Sequence, residues 1–412
     1  MMSRALLFAA LLLIPAVVHA ESAAEKAEFE PRLTIYLARG PANACGPGCD
    51  RWIAVEGDVD RDAAPRIRRF LLKIKDKQRP IYFHSPGGSV EPSLVIGRLL
   101  RSRKAVARVG RTIVADCAAG TQFDEACLKV KNGGGEVRAE IVTRNAMCNS
   151  ACAYMLLGAA TREIAPDAVI AVHNSRYTVV FQGHPSALQV ANFKHREIAE
   201  ANRERASFIA AMGIHHELND LIKTVKFESF HVLTRPELYD FGIDTRLSAE
   251  TAWMLQAAAR PYIRKILFAK TQDGAAFRMM EWRLFCENKD HARLMFIREF
   301  DPAAAGKTTM VMMAGAQKSV AFGAFPVRIG KYEVWSDKVA PDALKTMLAA
   351  PGLAMGEGTS APAGNASLVT FDIDTSGLPS AWTQLLQSCP APATVAWPAT
   401  IAPHSLAPVP AH

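Results

Sequence analysis

Short apolar runs separated by turn residues dominate the first part of the chain, and two of them, Leu33–Ala38 and Trp52–Val55, predict strands. The second is followed by Gly57 and a helix-like stretch over Ala63–Lys75. Arg79–His84 then predicts a strand, Ser85–Ser89 a tight turn, Val90–Arg101 an amphipathic helix and Ala105–Val109 a strand, together one unit of a parallel sheet. A second such unit runs through Glu140–Thr143 (strand), Asn149–Leu157 (helix) and Val169–His173 (strand). Up to about residue 250 the pattern therefore reads as α/β. Asp116–Val137, with three glycines at a turn, reads as an insertion between the units, held by cysteines.

Ser186–Val225 is a long polar-faced helical stretch broken near Gly213, and Leu233–Asp244 closes the region. After about residue 260 the texture changes to β-like runs at Trp282–Glu287, Leu294–Phe300, Thr308–Ala314, Ser319–Phe322, Val327–Ile329 and Tyr332–Trp335. A helix at Pro341–Leu348, a strand at Leu368–Ile373 and a helix at Leu378–Gln387 follow, and the proline-rich end from Pro390 to His412 reads as a disordered tail.

Composition narrows the picture. A chain of 412 residues, half of them apolar, is long enough for two cores, and 48 Lys+Arg against 40 Asp+Glu gives only +8 without a long basic run. That balance points away from nucleic acid. Met1–Ala20 has the plan of a cleavable signal peptide: Arg4, an apolar run to Pro15, and small residues at Val18 and Ala20. A periplasmic or secreted location follows, and there an even count of eight cysteines favours disulfides. Cys45-Gly-Pro-Gly-Cys49 is suited to closing a small loop, and a Cys286–Cys389 bridge would tie the ends of the second domain. Cys148 and Cys152, four apart on an expected helix, have poor geometry for bonding each other. They are expected to pair with Cys117 or Cys127 or to stay buried.

Three places could carry chemistry. Ser85-Pro-Gly-Gly88 lies between a strand and a helix, where glycines admit a ligand close to backbone N–H groups; the same residues also make an ordinary tight turn. Ser150 opens a helix, where the dipole favours developing negative charge, although helix-capping is the commoner use of such a serine. His173 leaves an apolar strand at its carboxyl end, where open α/β sheets keep their sites.

These parts occur in a familiar order. Ile81-Tyr-Phe-His-Ser-Pro-Gly-Gly-Ser-Val90, Asn149-Ser-Ala-Cys-Ala-Tyr-Met-Leu-Leu-Gly-Ala-Ala-Thr-Arg162, Pro166-Asp-Ala-Val-Ile-Ala-Val-His173 and Glu237-Leu-Tyr-Asp-Phe-Gly-Ile-Asp244 together resemble the Clp protease proteolytic subunit and the Clp/crotonase superfamily, most of all its exported bacterial members. The resemblance covers roughly residues 50 to 250. It implies an α/β fold with a Clp/crotonase-like stacked ββα core at 21–260, after a signal peptide at 1–20. A β-rich α+β domain at 261–389 and the tail at 390–412 lie beyond it. It also implies a serine peptidase that uses no cofactor, metal or nucleotide and takes a peptide or protein substrate, with Ser150 as nucleophile, His173 as base, and Gly87, Gly88 and the Ala151 amide as oxyanion donors. Two positions depart from the family pattern: Ala151-Cys152 replaces a glycine after the serine, and the position of the orienting acid falls on Phe230. Glu228, two residues away, would share the face of Phe230 on a strand, so the site is either a triad with Glu228 or a dyad. The family also implies homo-oligomers through the long helix of Ser186–Val225.

Two other motifs are set aside. Gly306-Lys307-Thr308-Thr309 lacks the first glycine of a phosphate loop, since Asp301 stands there, and His215-His216-Glu217 lacks the spacing of a helical zinc pair. A catalytically inactive Clp-like fold that binds envelope peptides or proteins is the alternative to the peptidase. Acyl-CoA chemistry is disfavoured by export.

Overall fold

The computed structural model describes residues 31–176 and 186–389, apart from 272–273, 275, 289–290, 301–307, 315–316, 323–325 and 360–368. The expected signal peptide, the proline-rich tail and Gly306-Lys307 lie outside the described residues.

The architecture is mixed α/β with several sheets. Seven strands form the first: β1 (Thr34–Arg39), β2 (Arg51–Glu56), β3 (Ile81–His84), β4 (Val106–Val109), β5 (Arg111–Val114), β6 (Glu136–Val142) and β7 (Thr161–Glu163), in the spatial order β5-β6-β1-β2-β3-β4-β7. The run β2-β3-β4-β7 is parallel, as strand–helix–strand crossovers require. Buried on both faces, β2 is almost continuously apolar. Helices α1 (Ala63–Lys73) and α2 (Val90–Ser102) are crossovers of this sheet; α1 buries Ala63, Ile67 and Leu71 at helical spacing. Helix α4 (Ala151–Gly158) has every residue buried and packs on α2, where Gly158 and Gly97 touch backbone to backbone. A Cβ on Gly158 would come 2.2 Å from the Gly97 Cα, so the two helices meet only through glycine.

The insertion carries α3 (Glu125–Lys131), clamped by the Cys117–Cys127 disulfide and by a buried pair between Lys131 and Glu56 at 2.9 Å. Glu56 also accepts from the Tyr36 hydroxyl and the Thr112 N–H, so this buried charge is fully partnered. A two-stranded ladder pairs β8 (Ala171–Val172) with β9 (His231–Val232), and the long helices α5 (Ala187–Ala211) and α6 (Glu217–Thr224) lie between them in sequence. Helix α5 opens with a capping box at Ser186/Gln189 and breaks before Gly213. Its Phe208 and Ile209 are buried in this chain's own core, whereas Leu188 and Ile198 are exposed.

A second core begins at Trp253 and continues to Leu385. Its antiparallel sheet starts with Ser248–Glu250 and Met254–Gln256, which pair with Tyr262–Lys270, so the β-rich texture begins ahead of residue 261. A four-stranded antiparallel sheet (Gln317–Phe322, Thr308–Ala314, Gly352–Thr359 and Val369–Asp374) and the helices Pro341–Ala349 and Leu378–Leu386 complete it, and Cys286–Cys389 ties the strand Phe277–Asn288 to the end of the last helix.

The cysteine pairing departs from expectation at one place. Cys148 bonds Cys152, with Cα atoms 5.0 Å apart, and Cys117 bonds Cys127. The expectation placed both Cys148 and Cys152 on a helix. The helix starts only at Ala151, and Cys148 lies in an extended segment bridged to Ser85, so the chain reverses between them. All four disulfides fit folding in an oxidising compartment. No helix among the described residues is long and apolar enough to cross a membrane.

Candidate active site

Strand β3 delivers the chain to Ser85–Ser89, which is held from two sides. On one side the Val59 N–H donates to the Gly87 carbonyl (2.7 Å) and the Ser89 N–H to the Val59 carbonyl (2.6 Å). On the other, the Ser85 N–H donates to the Met147 carbonyl (2.8 Å) and the Asn149 N–H to the Ser85 carbonyl (3.1 Å). The two glycines sit at φ +122° and +130°, a conformation other residues avoid. A Cβ on Gly87 would stand 2.7 Å from the Cβ of Ser150, so the missing side chain is what lets the serine approach.

Ser150 lies in the sharp reversal between the extended segment and α4, at φ +52° and ψ −120°. Such a backbone costs about 1–3 kcal/mol and is kept where its surroundings enforce it. Here the Ser150 N–H donates to the Ala171 carbonyl (2.8 Å), and Asn149 Oδ1 accepts from the Ala171 N–H (3.1 Å). Both bonds tie the reversal to β8, the strand directly before His173. The serine does not cap its helix. Its Oγ lies 2.7 Å from His173 Nε2.

His173 Nδ1 is 2.7 Å from the Phe227 carbonyl oxygen. A carbonyl can only accept, so Nδ1 carries the proton and Nε2 is left as the acceptor for the Ser150 hydroxyl. Burial pulls the imidazole below its ordinary value, opposed by the Phe227 carbonyl and by the Glu228 charge. The ring is therefore neutral, and basic at Nε2, at neutral pH. Phe230 packs against it at 4.6 Å between centroids and Phe227 at 5.0 Å.

Glu228, the expected orienting acid, makes no hydrogen bond to His173. Residues 226–229 form a turn closed by the Ser229 N–H on the Lys226 carbonyl, and the strand begins only at His231, so the two-residue alternation that put Glu228 on the face of Phe230 does not operate. Its carboxylate is exposed and pairs with Arg176 at 2.7 Å. His173 Nδ1 meets instead a main-chain carbonyl three positions before Phe230, on Phe227.

The amides divide unequally. In the parallel bridge between Val59 and Gly88, the Gly88 N–H points away from Val59, and Gly88 is exposed. Neither the Gly88 nor the Ala151 amide donates to another described residue. Ala151 N–H is moreover the first of α4, where no intrahelical partner exists. The Gly87 N–H donates to Ser85 Oγ at 3.2 Å, whereas the expected oxyanion donors Gly88 and Ala151 have no such partner.

His84 was missed from the sequence, although its place at the end of β3, directly before the glycine turn, was a usable signal. Its Nδ1 accepts from the Met147 N–H at 3.2 Å, joining β3 to the segment that leads to Ser150. Burial lowers it to about 4, so it stays neutral. His216, at the start of α6, is exposed beside Glu217 and Asp220, a solvated helix end. Among the described residues no group of three or more His, Cys, Asp or Glu is placed to hold a metal ion.

No protein-family model matches this chain, and no curated protein matches it. Among solved structures it is similar to an alanine mutant of the 1510-N membrane-bound stomatin-specific protease: 13% identity over 46% of this chain and 75% of the other, with TM-score 0.27. A second mutant of that protease, in complex with a substrate peptide, gives 13%, 46%, 71% and 0.28. Invasion associated protein B from Bartonella henselae gives 10%, 34%, 92% and 0.23. These scores are low, and the chemistry is derived from this chain's own residues.

Proposed function

We propose that the chain is an exported serine peptidase of Clp-like fold, built on residues 21–260, that hydrolyses peptide bonds with a Ser150–His173 dyad. The observation that carries this reading is the 2.7 Å contact between Ser150 Oγ and a histidine nitrogen whose tautomer is set for accepting a proton. In the proposed reaction Oγ attacks the scissile carbonyl as its proton passes to Nε2, and the oxyanion is met by the Gly88 and Ala151 N–H groups. The imidazolium then gives that proton to the leaving amine. Water, activated by the same nitrogen, releases the acyl group. The Phe227 carbonyl does what a carboxylate does in a triad, fixing tautomer and ring angle, with a dipole in place of a full charge. A weaker base and a modest rate are expected in consequence.

The exposed aromatic rim of Phe227 and Phe230 beside the dyad suits an apolar substrate side chain. The exposed outer face of α5 leaves room for the self-association that the resemblance implies.

The test is reaction of the mature, oxidised protein with an aryl alkylphosphonate, followed by peptide mapping. A covalent adduct at Ser150, absent in His173→Ala, is expected. If Ser150 stays unmodified while model peptides still bind, the chain is a binding module and the peptidase reading fails.

A further inference from the structure

The Cys148–Cys152 disulfide spans the reversal on which Ser150 sits, and both cysteines are wholly buried. The tethers of that reversal divide into two sets. Cys148, Asn149 and Ser150 donate backbone hydrogen bonds to Val169, Ser85 and Ala171, which fix the strand side. Cys152 and Ala153 donate back to Asn149 and Ser150, which starts the helix side. The disulfide is the one covalent link among these tethers that joins the two sides, and it closes a ring around Asn149, Ser150 and Ala151. Two of those three residues supply the nucleophile and an oxyanion N–H in the function proposed above, and this inference rests on that reading.

We propose that the Cys148–Cys152 disulfide is the positioning element of the nucleophile, so that the hydrolytic site is assembled only in the oxidised chain. A serine at φ +52° relaxes toward ordinary backbone regions unless its neighbours forbid it. With the ring open, relaxation at Ser150 swings Oγ off His173 Nε2 and turns the Ala151 N–H with it. Closing the ring forms one S–S bond, and the two thiol protons and two electrons pass to a partner disulfide, which leaves as a dithiol. Because neither sulfur reaches solvent in the folded chain, this exchange belongs to folding. The site is thereby kept latent in any reducing compartment.

Trypsin cuts after Arg144 and Arg162, so one peptide, residues 145–162, carries Cys148, Ser150 and Cys152 and reports label and bridge together. Wild-type chain refolded in a glutathione/glutathione-disulfide mixture is exposed briefly to the aryl alkylphosphonate, its thiols are alkylated, and this peptide is weighed. Labelling of the bridged form should exceed that of the alkylated form on the order of a hundredfold, the usual loss for a reacting atom displaced by about 1 Å. Equal labelling of the two forms overturns the proposal. No label on either overturns the peptidase reading instead, so the two failures are distinct.

The Cys148→Ala/Cys152→Ala variant separates positioning from stability. Positioning predicts a slower labelling rate that still reaches full extent, with the acid midpoint of the rate unchanged because His173 keeps its environment. Wild-type rate with reduced extent would mean that the bridge only stabilises the fold, and would overturn the proposal. Cys45→Ala/Cys49→Ala, which opens the loop between β1 and β2, should label at the wild-type rate. If the first variant does not fold, the wild-type peptide measurement decides.

Discussion

The two halves of this molecule treat unusual backbone in opposite ways. Every described non-glycine residue with positive φ (Asn43, Lys104, Asn145 and Ser150) lies in the first half, and one of them is the serine against His173. In the second half the described positive-φ residues are Gly274, Gly330 and Gly377, where such a backbone costs little. Buried charges are paired in both halves: Lys131 with Glu56 and Arg235 with Asp244 in the first, and Arg298 with Glu333, Lys265 with Glu250, and Glu281 with Arg264 and Arg283 in the second. In the first half the Ser150 hydroxyl and Nε2 of His173 converge at the ends of β3 and β8, with Gly87 against Ser150, and the Gly88 and Ala151 amides donate to no other described residue. Strain and unspent hydrogen-bonding capacity thus coincide around Ser150, and the proposed site rests on that coincidence.

The largest expected effect breaks the comparison outright if it fails. Ser150→Ala, and separately His173→Ala, should remove peptide hydrolysis, by up to roughly a millionfold, as for members of a catalytic unit in serine proteases. Residual turnover in both variants equal to wild type, measured with a fluorogenic peptide, would mean that the convergence is not a site.

Glycine substitutions come next. Gly87→Ala drives a methyl into Ser150, and a loss on the order of 10²–10³ in turnover is expected, comparable with losing an oxyanion donor. Gly330→Ala, where a Cβ would meet nothing within 4 Å, should cost about 1–2 kcal/mol of stability from its left-handed backbone and leave turnover per folded molecule unchanged. Paired melting and rate measurements check both.

A pH measurement sharpens the contrast further. With His84 lowered from 6.5 to about 4, the unfolded chain binds the proton first as the medium is acidified. The stability linked to this group is complete above about pH 6.5 and is lost as pH falls toward about 4, in total about 3 kcal/mol. His84→Asn, which can still accept from the Met147 N–H, should flatten that acid limb in urea titrations at successive pH values. The smallest effect expected is at Glu228→Gln: its exposed pair with Arg176 contributes little to stability, and turnover should stay within about twofold of wild type. A drop near ten-thousandfold would restore Glu228 as the third catalytic member.

The sequence by itself was enough for whatever depends on neighbours along the chain. Alternation and helical spacing predicted β3, α2, β4, the break of α5 near Gly213, and the helices that begin at Pro341 and Leu378. The glycine-rich Cys45–Cys49 loop could be read as a bridge for the same reason. Tertiary structure alone decided the site's third partner and the pairing around its serine. Whether His173 meets a carboxylate or a carbonyl depends on where a turn fifty residues on comes to rest, and local periodicity carries no information about the turn at 226–229. Whether Cys148 can reach Cys152 depends on one residue's backbone, since starting the helix at Ala151 rather than Asn149 converts a helical spacing into a reversal. That choice is made by hydrogen bonds donated to the carbonyls of Ser85, Val169 and Ala171, residues distant in sequence and adjacent only after the sheet has formed.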